Sequence, residues 1–432
     1  MNFYKKAYRY ISGIIFTIGM LCLPFLKYII NGYEEVKLAV PELNWIYVMF
    51  LLNTVITYLM AYKRTLIIAD QSEYKITPII MAFNIISTLA QILVLIIFKN
   101  FILYLGIQII VKVFENIFVN RYINKNYDYI KDKNTDKLPK DKVRGLITNV
   151  KALMVHKIGE IAVYSTDNLI ITKIINIVVT GLYSNYTLIT GVFKNLTTML
   201  FNNVTASMGN LIVTENEDKK IQIFNVMNFV AFWVFTVTAV FMFVIIDPFV
   251  RLAYGEQYVL PLITTALIII EYFYYGMRLA VSTVKSAAGI YVQDKYVPLI
   301  TAIINLAVSI ILGKKIGLDG VIIGTIVSTA SISLWYRPML VYKNVFKTSS
   351  KQYFVKLLTY TIVFTISLVG TGLLSYYFPI NNMYIKFIYC AFIGLIIPNI
   401  LIFLLYRKTS ELKRVIEIIK NTVKRRLKRN EM

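Results

Sequence analysis

Apolar runs of about twenty residues recur from residue 11 almost to the end of the chain, and the short connections between them carry most of its lysine and arginine. A run of that length crosses the ~30 Å hydrocarbon layer of a bilayer only as a helix, because lipid offers no partner to an open backbone. The pattern predicts an all-α polytopic membrane protein with twelve transmembrane helices. They fall at about 11–30, 44–62, 76–98, 101–120, 146–168, 178–205, 222–246, 259–283, 296–313, 318–340, 354–376 and 384–406. Charged residues are 16% of the chain, against about 25% in soluble domains, so no stretch is left for a soluble catalytic domain.

The net charge of +23 would suit nucleic acid if it lay on a soluble face, but it lies in the connections, so no nucleic-acid partner is expected. Those connections alternate. One side holds only Lys27, Lys37, Lys99, Lys173, Arg251, Lys314 and Lys315, while most of the 46 Lys and Arg lie on the other. The positive-inside bias predicts a multi-pass plasma-membrane protein with both termini in the cytoplasm. The first run follows the basic stretch MNFYKKAYRY, yet it extends for about 20 residues without a small-residue cleavage site, which reads as a retained span.

Enzymatic classes are disfavoured. No Gly-rich phosphate loop, metal-ligand cluster or nucleophile triad stands out, and no cofactor is implied. Cys22 and Cys390 both sit in apolar runs and form no disulfide framework. The outward connections are short, the longest being 31–43, which argues against a membrane glycan polymerase or glycosyltransferase working on that side.

The chain carries an internal repeat. Pro24-Phe25-Leu26-Lys27 followed by Gly32 matches Pro248-Phe249-Val250-Arg251 followed by Gly255, and Lys75-Ile76-Thr77-Pro78 matches Lys295-Tyr296-Val297-Pro298. Each motif lies on the same side of the membrane as its partner, as in parallel repeats. The expected organisation is an N-terminal lobe of four spans (1–120), a lysine-rich cytoplasmic linker (121–145), a six-span lobe (146–345), two further spans (346–406) and a basic tail (407–432). The second lobe runs two spans before its proline-phenylalanine motif, so the first lobe is expected to lack its two opening helices. In the tail, Leu412, Val415, Ile416, Ile419, Val423 and Leu427 recur at helical spacing among ten Lys and Arg, which predicts an amphipathic helix on anionic lipid.

Charges inside the spans are the candidate functional residues, since each one facing lipid would cost roughly 2.5–3.5 kcal/mol. Lys157, Glu160, Tyr164 and Asp167 fall on one stripe of the fifth span. Thr187, Gly191, Lys194, Thr198 and Asn202 share a face of the sixth, and Glu271, Tyr275, Arg278 and Ser282, with Lys285 beyond, share a face of the eighth. Gln108, Lys112 and Glu115 make a shorter stripe in the first lobe. A purely structural role, with ion pairs fixing helix register, is the competing reading. The lone His156, at the cytoplasmic end of its span, reads as an interfacial residue.

The stretch Tyr58-Leu59-Met60-Ala61-Tyr62-Lys63-Arg64 with Ala69-Asp70-Gln71 resembles the polysaccharide-biosynthesis flippases of lipid-linked oligosaccharides. So do His156-Lys157-Ile158-Gly159, Ser165-Thr166-Asp167-Asn168 and Gly181-Leu182-Tyr183-Ser184-Asn185-Tyr186. The resemblance implies the two-lobed fold shared with multidrug and toxin extrusion transporters, and alternating access that carries a polyprenyl-diphosphate oligosaccharide to the outer leaflet. On that plan Lys157, Lys194, Arg278 and Lys112 attract the diphosphate, while Glu160, Asp167, Glu271 and Glu115 balance those cations or couple H+ or Na+. Other polysaccharide-assembly proteins are the expected protein partners. A drug or metabolite exporter of the same fold is the alternative.

Overall fold

The computed structural model describes residues 2–70, 72, 75–127, 154, 166–378 and 382–430. No strand occurs among them, and the fold is that of an all-helical polytopic membrane protein. The chain divides into two units, Met1–Thr148 and Asn149–Met432.

In the first unit, α1 (Asn2–Cys22) is prolonged by the turns Leu23–Phe25 and Leu26–Ile29, and is followed by α2 (Tyr33–Ala39), α3 (Leu43–Ala69), α4 (Thr77–Phe98) and α5 (Phe101–Asn126). The connection at 31–43 is built around the short helix α2, which meets α3 at 89°. Gly32 turns the chain into α2, at a φ of +71° that side chains disfavour. Helix α3 packs against both α1 and α5, and α5 against α4.

The second unit opens, within the described residues, on the helical segment 166–174; His156, Lys157, Glu160 and Tyr164 lie outside them. Then follow α6 (Ile177–Thr214), α7 (Glu217–Ala253), α8 (Leu262–Met277), α9 (Leu279–Ala287), α10 (Val297–Ile316) and α11 (Leu318–Ser328). Helix α11 runs on to Phe346 through two wide, π-type turns, Thr329–Ser333 and Tyr342–Phe346. Helices α12 (Lys351–Tyr377), α13 (Met383–Tyr406) and α14 (Ser410–Asn430) complete the chain.

Among the described residues, eight helices are long and apolar enough to cross a membrane, nine if the bent pair α2–α3 counts as one span. The twelve expected spans exceed that number for physical reasons. Helices α10 and α11 form one continuous apolar stretch of 50 residues, although the chain reverses at Gly317, φ +65°. Threonines, asparagines and Lys194 dilute the apolar runs of α6, and only the end of the fifth span is described.

The repeat is visible in the packing. Helix α8 packs against α7 and α11, and α11 against α10, which reproduces the relations of α3, α1, α5 and α4. Helices α4 and α10 both begin on a proline in the first turn, where a missing N–H costs nothing. Both hairpins also turn on a left-handed residue, Lys99 at +49° and Gly317 at +65°.

Two packing devices position the site. Helix α11 presents Gly320 and Gly324 to α10 so closely that a Cβ would lie 2.3 Å from the Leu312 carbonyl and 2.7 Å from the Ser309 nitrogen. In lipid, where burial of apolar surface drives no association, small residues of this kind let backbones approach and gain dispersion contact. The last two spans are held by aromatic stacking. Phe232 of α7 stacks on Tyr360 of α12 at 4.1 Å, Phe273 of α8 stacks on Phe364 at 4.0 Å, and Trp233 donates to Asn399 of α13 at 2.7 Å.

Beyond the membrane, Lys356 of α12 donates to Glu411 of α14 at 2.7 Å. Burial pushes the Glu411 carboxyl up, but the Lys356 hydrogen bond outweighs it with smaller helpers and holds the group below its usual range. A depressed carboxylate stabilises above its unfolded pKa and loses that contribution as pH falls through the folded value. Hydrogen exchange is therefore expected to show the first turns of α14 protected at neutral pH and loosening only below about pH 4.3, the ordinary glutamate value. Glu411→Gln should erase that acid step; an unchanged step in the variant would assign it to another group.

Candidate transport site

Helix α6 directs Tyr183, Thr187, Thr190 and Lys194 along one face, because spacings of four, three and four residues repeat each turn. Ile268 and Glu271 of α8 face them, with Ile322 and Thr325 of α11 and Asn168 of the opening segment closing a cavity of about 150 Å³. Seven of its nine lining side chains carry a hydroxyl, amide or charged group, in a unit that exposes many large apolar side chains.

The strongest contact on the wall is an ion pair. Lys194 Nζ donates to Glu271 Oε2 at 2.6 Å, and lies 5.0 Å from the centre of the Tyr275 ring. The Arg278 guanidinium sits 5.8 Å from the same ring and donates through Nε to the Tyr274 carbonyl at 3.2 Å. Tyr275 is thus flanked by two cations, an arrangement its negative ring face favours, and its hydroxyl pairs with Thr198 at 2.9 Å. The other Glu271 oxygen, Oε1, is buried and makes no hydrogen bond among the described residues.

Arg278 occupies an irregular turn. The span expected over 259–283 is present as Leu262–Ala287, and within it the Arg278 N–H turns back to the Tyr275 carbonyl instead of continuing the α-helical ladder. Close approach accompanies the turn: a Cβ on Gly276 would fall 2.0 Å from Phe235 Cγ.

Beside the cavity, Asp167 is buried and accepts from Thr325 Oγ1 at 2.7 Å and Asn305 Nδ2 at 3.4 Å. Asn305 also donates to Thr325 Oγ1 at 2.9 Å and accepts from Thr166 at 3.2 Å. Three segments distant in sequence thus converge on one carboxylate, with the α10–α11 hairpin supplying two of the four side chains.

The structure brings together Asp167, Lys194, Glu271 and Arg278 of the expected residues, while Lys157 and Glu160 lie outside the described residues. Lys112 and Glu115 belong to the first unit, where Lys112 donates to both oxygens of the buried Glu115 at 2.8 Å. Asn305 and Thr325 were absent from the expected set. So was the cluster in which Asp247 accepts from Tyr186 at 2.7 Å and Thr265 at 3.1 Å, and the one in which Asp294 accepts from Lys285 at 2.5 Å and Arg337 at 3.2 Å. The signals were present as single acids in apolar surroundings, Asp247 within VIIDPFV and Asp294 before a helix-starting proline. Among the described residues no group of His, Cys, Asp and Glu could hold a metal ion by clustering.

The described residues form an all-helical polytopic membrane fold with a repeated four-helix pattern and a polar-lined cavity in the second unit. Among solved structures, the chain is similar to the lipid II flippase MurJ in an inward closed conformation, with a TM-score of 0.66 and 16% identity over 94% of this chain and 84% of that one. At that identity the likeness establishes the fold. No family model matches the sequence, and no curated protein matches it.

Proposed function

We propose that the chain flips a lipid-linked oligosaccharide, carried on polyprenyl diphosphate, from the cytoplasmic to the outer leaflet by alternating access. The observation that carries this reading is the Lys194–Glu271 pair, held against Tyr275 on the wall of a polar cavity within a membrane-spanning unit. The shared fold with a lipid II flippase supports it. A diphosphate oxygen would replace Glu271 Oε2 on Lys194, with Arg278 across the ring as the second cation. Lys157 of the second unit and, separately, Lys112 of the first are also proposed to attract the diphosphate, with Glu160 and Glu115 as their charge-balancing acids. Hydroxyl and amide groups such as Thr187, Thr190 and Asn168 suit the hydroxyls of a sugar. The basic connections support cytoplasmic termini, and Asp167, with Asn305 and Thr325 around it, is the group proposed to take up a coupling H+ or Na+.

The test is leaflet accessibility of the glycan in cells lacking and then regaining the gene. Loss of outward glycan without the protein and its return with it are expected; outward glycan at the normal level in the deletion strain would overturn the reading. One observation favours a second reading, an exporter of cationic compounds: Glu271 Oε1, a buried carboxylate oxygen of a cavity-lining residue, makes no hydrogen bond among the described residues. Accumulation of a cationic dye in the deletion strain, with glycan export intact, would select it.

A further inference from the structure

Helix α14 is longer than the surface that supports it. Its 21 residues extend about 31 Å at 1.5 Å per residue. The apolar stripe begins on Leu412, which is 1% exposed, and continues through Val415 and Ile416, which pack on the aromatic core of α7 and α12. One turn further along the same stripe, Ile419 is 54% exposed. Spacing places Val423 and Leu427 on that stripe as well. The protein thus covers the first turns of this apolar face and leaves Ile419 open.

Charge changes at the same point. The docked part holds the acids Glu411 and Glu417, paired with Lys356 and Arg414. From 418 to 430 there is no acid, and six cations follow: Lys420, Lys424, Arg425, Arg426, Lys428 and Arg429. The depth is fixed too. Helix α14 starts a few residues after α13 ends at Tyr406, and its Glu411 is tied to Lys356 in the second turn of α12, so it leaves the protein where two spans reach the membrane surface.

We propose that α14 is a two-part interfacial anchor: its first turns dock on the transmembrane core, and from Ile419 onward it lies in an anionic phospholipid surface. The open stripe enters the acyl boundary while the lysines and arginines meet lipid phosphates. A nucleic acid would satisfy the cations and leave the apolar stripe in water, so a bilayer is the surface that matches both.

The full chain reconstituted in nanodiscs of neutral phosphatidylcholine, or with roughly 30% phosphatidylglycerol, tests this by hydrogen exchange of residues 418–430 at low and about 0.5 M salt. Protection at least about tenfold greater in the anionic discs, falling with salt, is expected. The triple variant Lys424→Glu, Arg425→Glu, Arg426→Glu should lose that difference while protection of 411–416 persists, which shows the docked turns still folded. Equal protection in both lipids, or an anionic-lipid effect that survives the triple variant, would overturn the proposal.

Discussion

Lys194→Ala is expected to reduce glycan translocation to background and to lower the amount of folded protein as well. Removing one member of this part-buried pair leaves the other charge uncompensated, at a cost below the roughly 3–5 kcal/mol of a fully buried pair. Glu271 would be affected strongly, because its Oε1 already lacks a hydrogen bond among the described residues and its Oε2 would lose Lys194. The informative comparison is the double variant Lys194→Met, Glu271→Met, which replaces the pair by apolar groups of similar length. Its folded amount should return close to that of the parent, while translocation stays at background. Recovery of both in the double variant would mean that the pair only fixes the register of α6 against α8.

Asp167→Asn is expected to keep the fold and to abolish any dependence of translocation on an imposed proton or sodium gradient. Asparagine retains an acceptor for Thr325 at nearly the same position, so the structural loss is small, about 1 kcal/mol for an interhelical hydrogen bond in a membrane. What is lost is the charge at the meeting point of the opening segment, α10 and α11. Transport assays in vesicles with and without a gradient, alongside thermal unfolding of the purified variant, separate the two effects. A variant that still responds to the gradient would remove Asp167 from any coupling role.

The spans and the two hairpins were legible in the sequence because each depends on local signals: run length, a proline in a first turn, a basic connection. Lys194 and Glu271 were legible as separate stripes, since helical periodicity fixes which residues share a face, although it does not say which faces meet. Asn305 and Thr325 were not legible. Each is one polar residue in an apolar run, and their contact depends on Gly320 and Gly324 admitting α10 at backbone distance. That dependence lies in three dimensions and leaves no periodic trace. The irregular turn at Arg278 was hidden for a related reason: it accompanies the Phe235 ring pressed against Gly276, and the sequence around it carries no proline.

The stacked pairs Phe232–Tyr360 and Phe273–Phe364 also constrain motion. Planar rings 4.1 Å and 4.0 Å apart, at 8° and 3° to one another, can slide little before their contacts are lost, and the Trp233–Asn399 hydrogen bond pins the third helix of the group. The last two spans therefore behave as ballast fixed to α7 and α8. If the proposed transport cycle rocks these helices, about fifty residues of α12 and α13 move with them and add viscous drag.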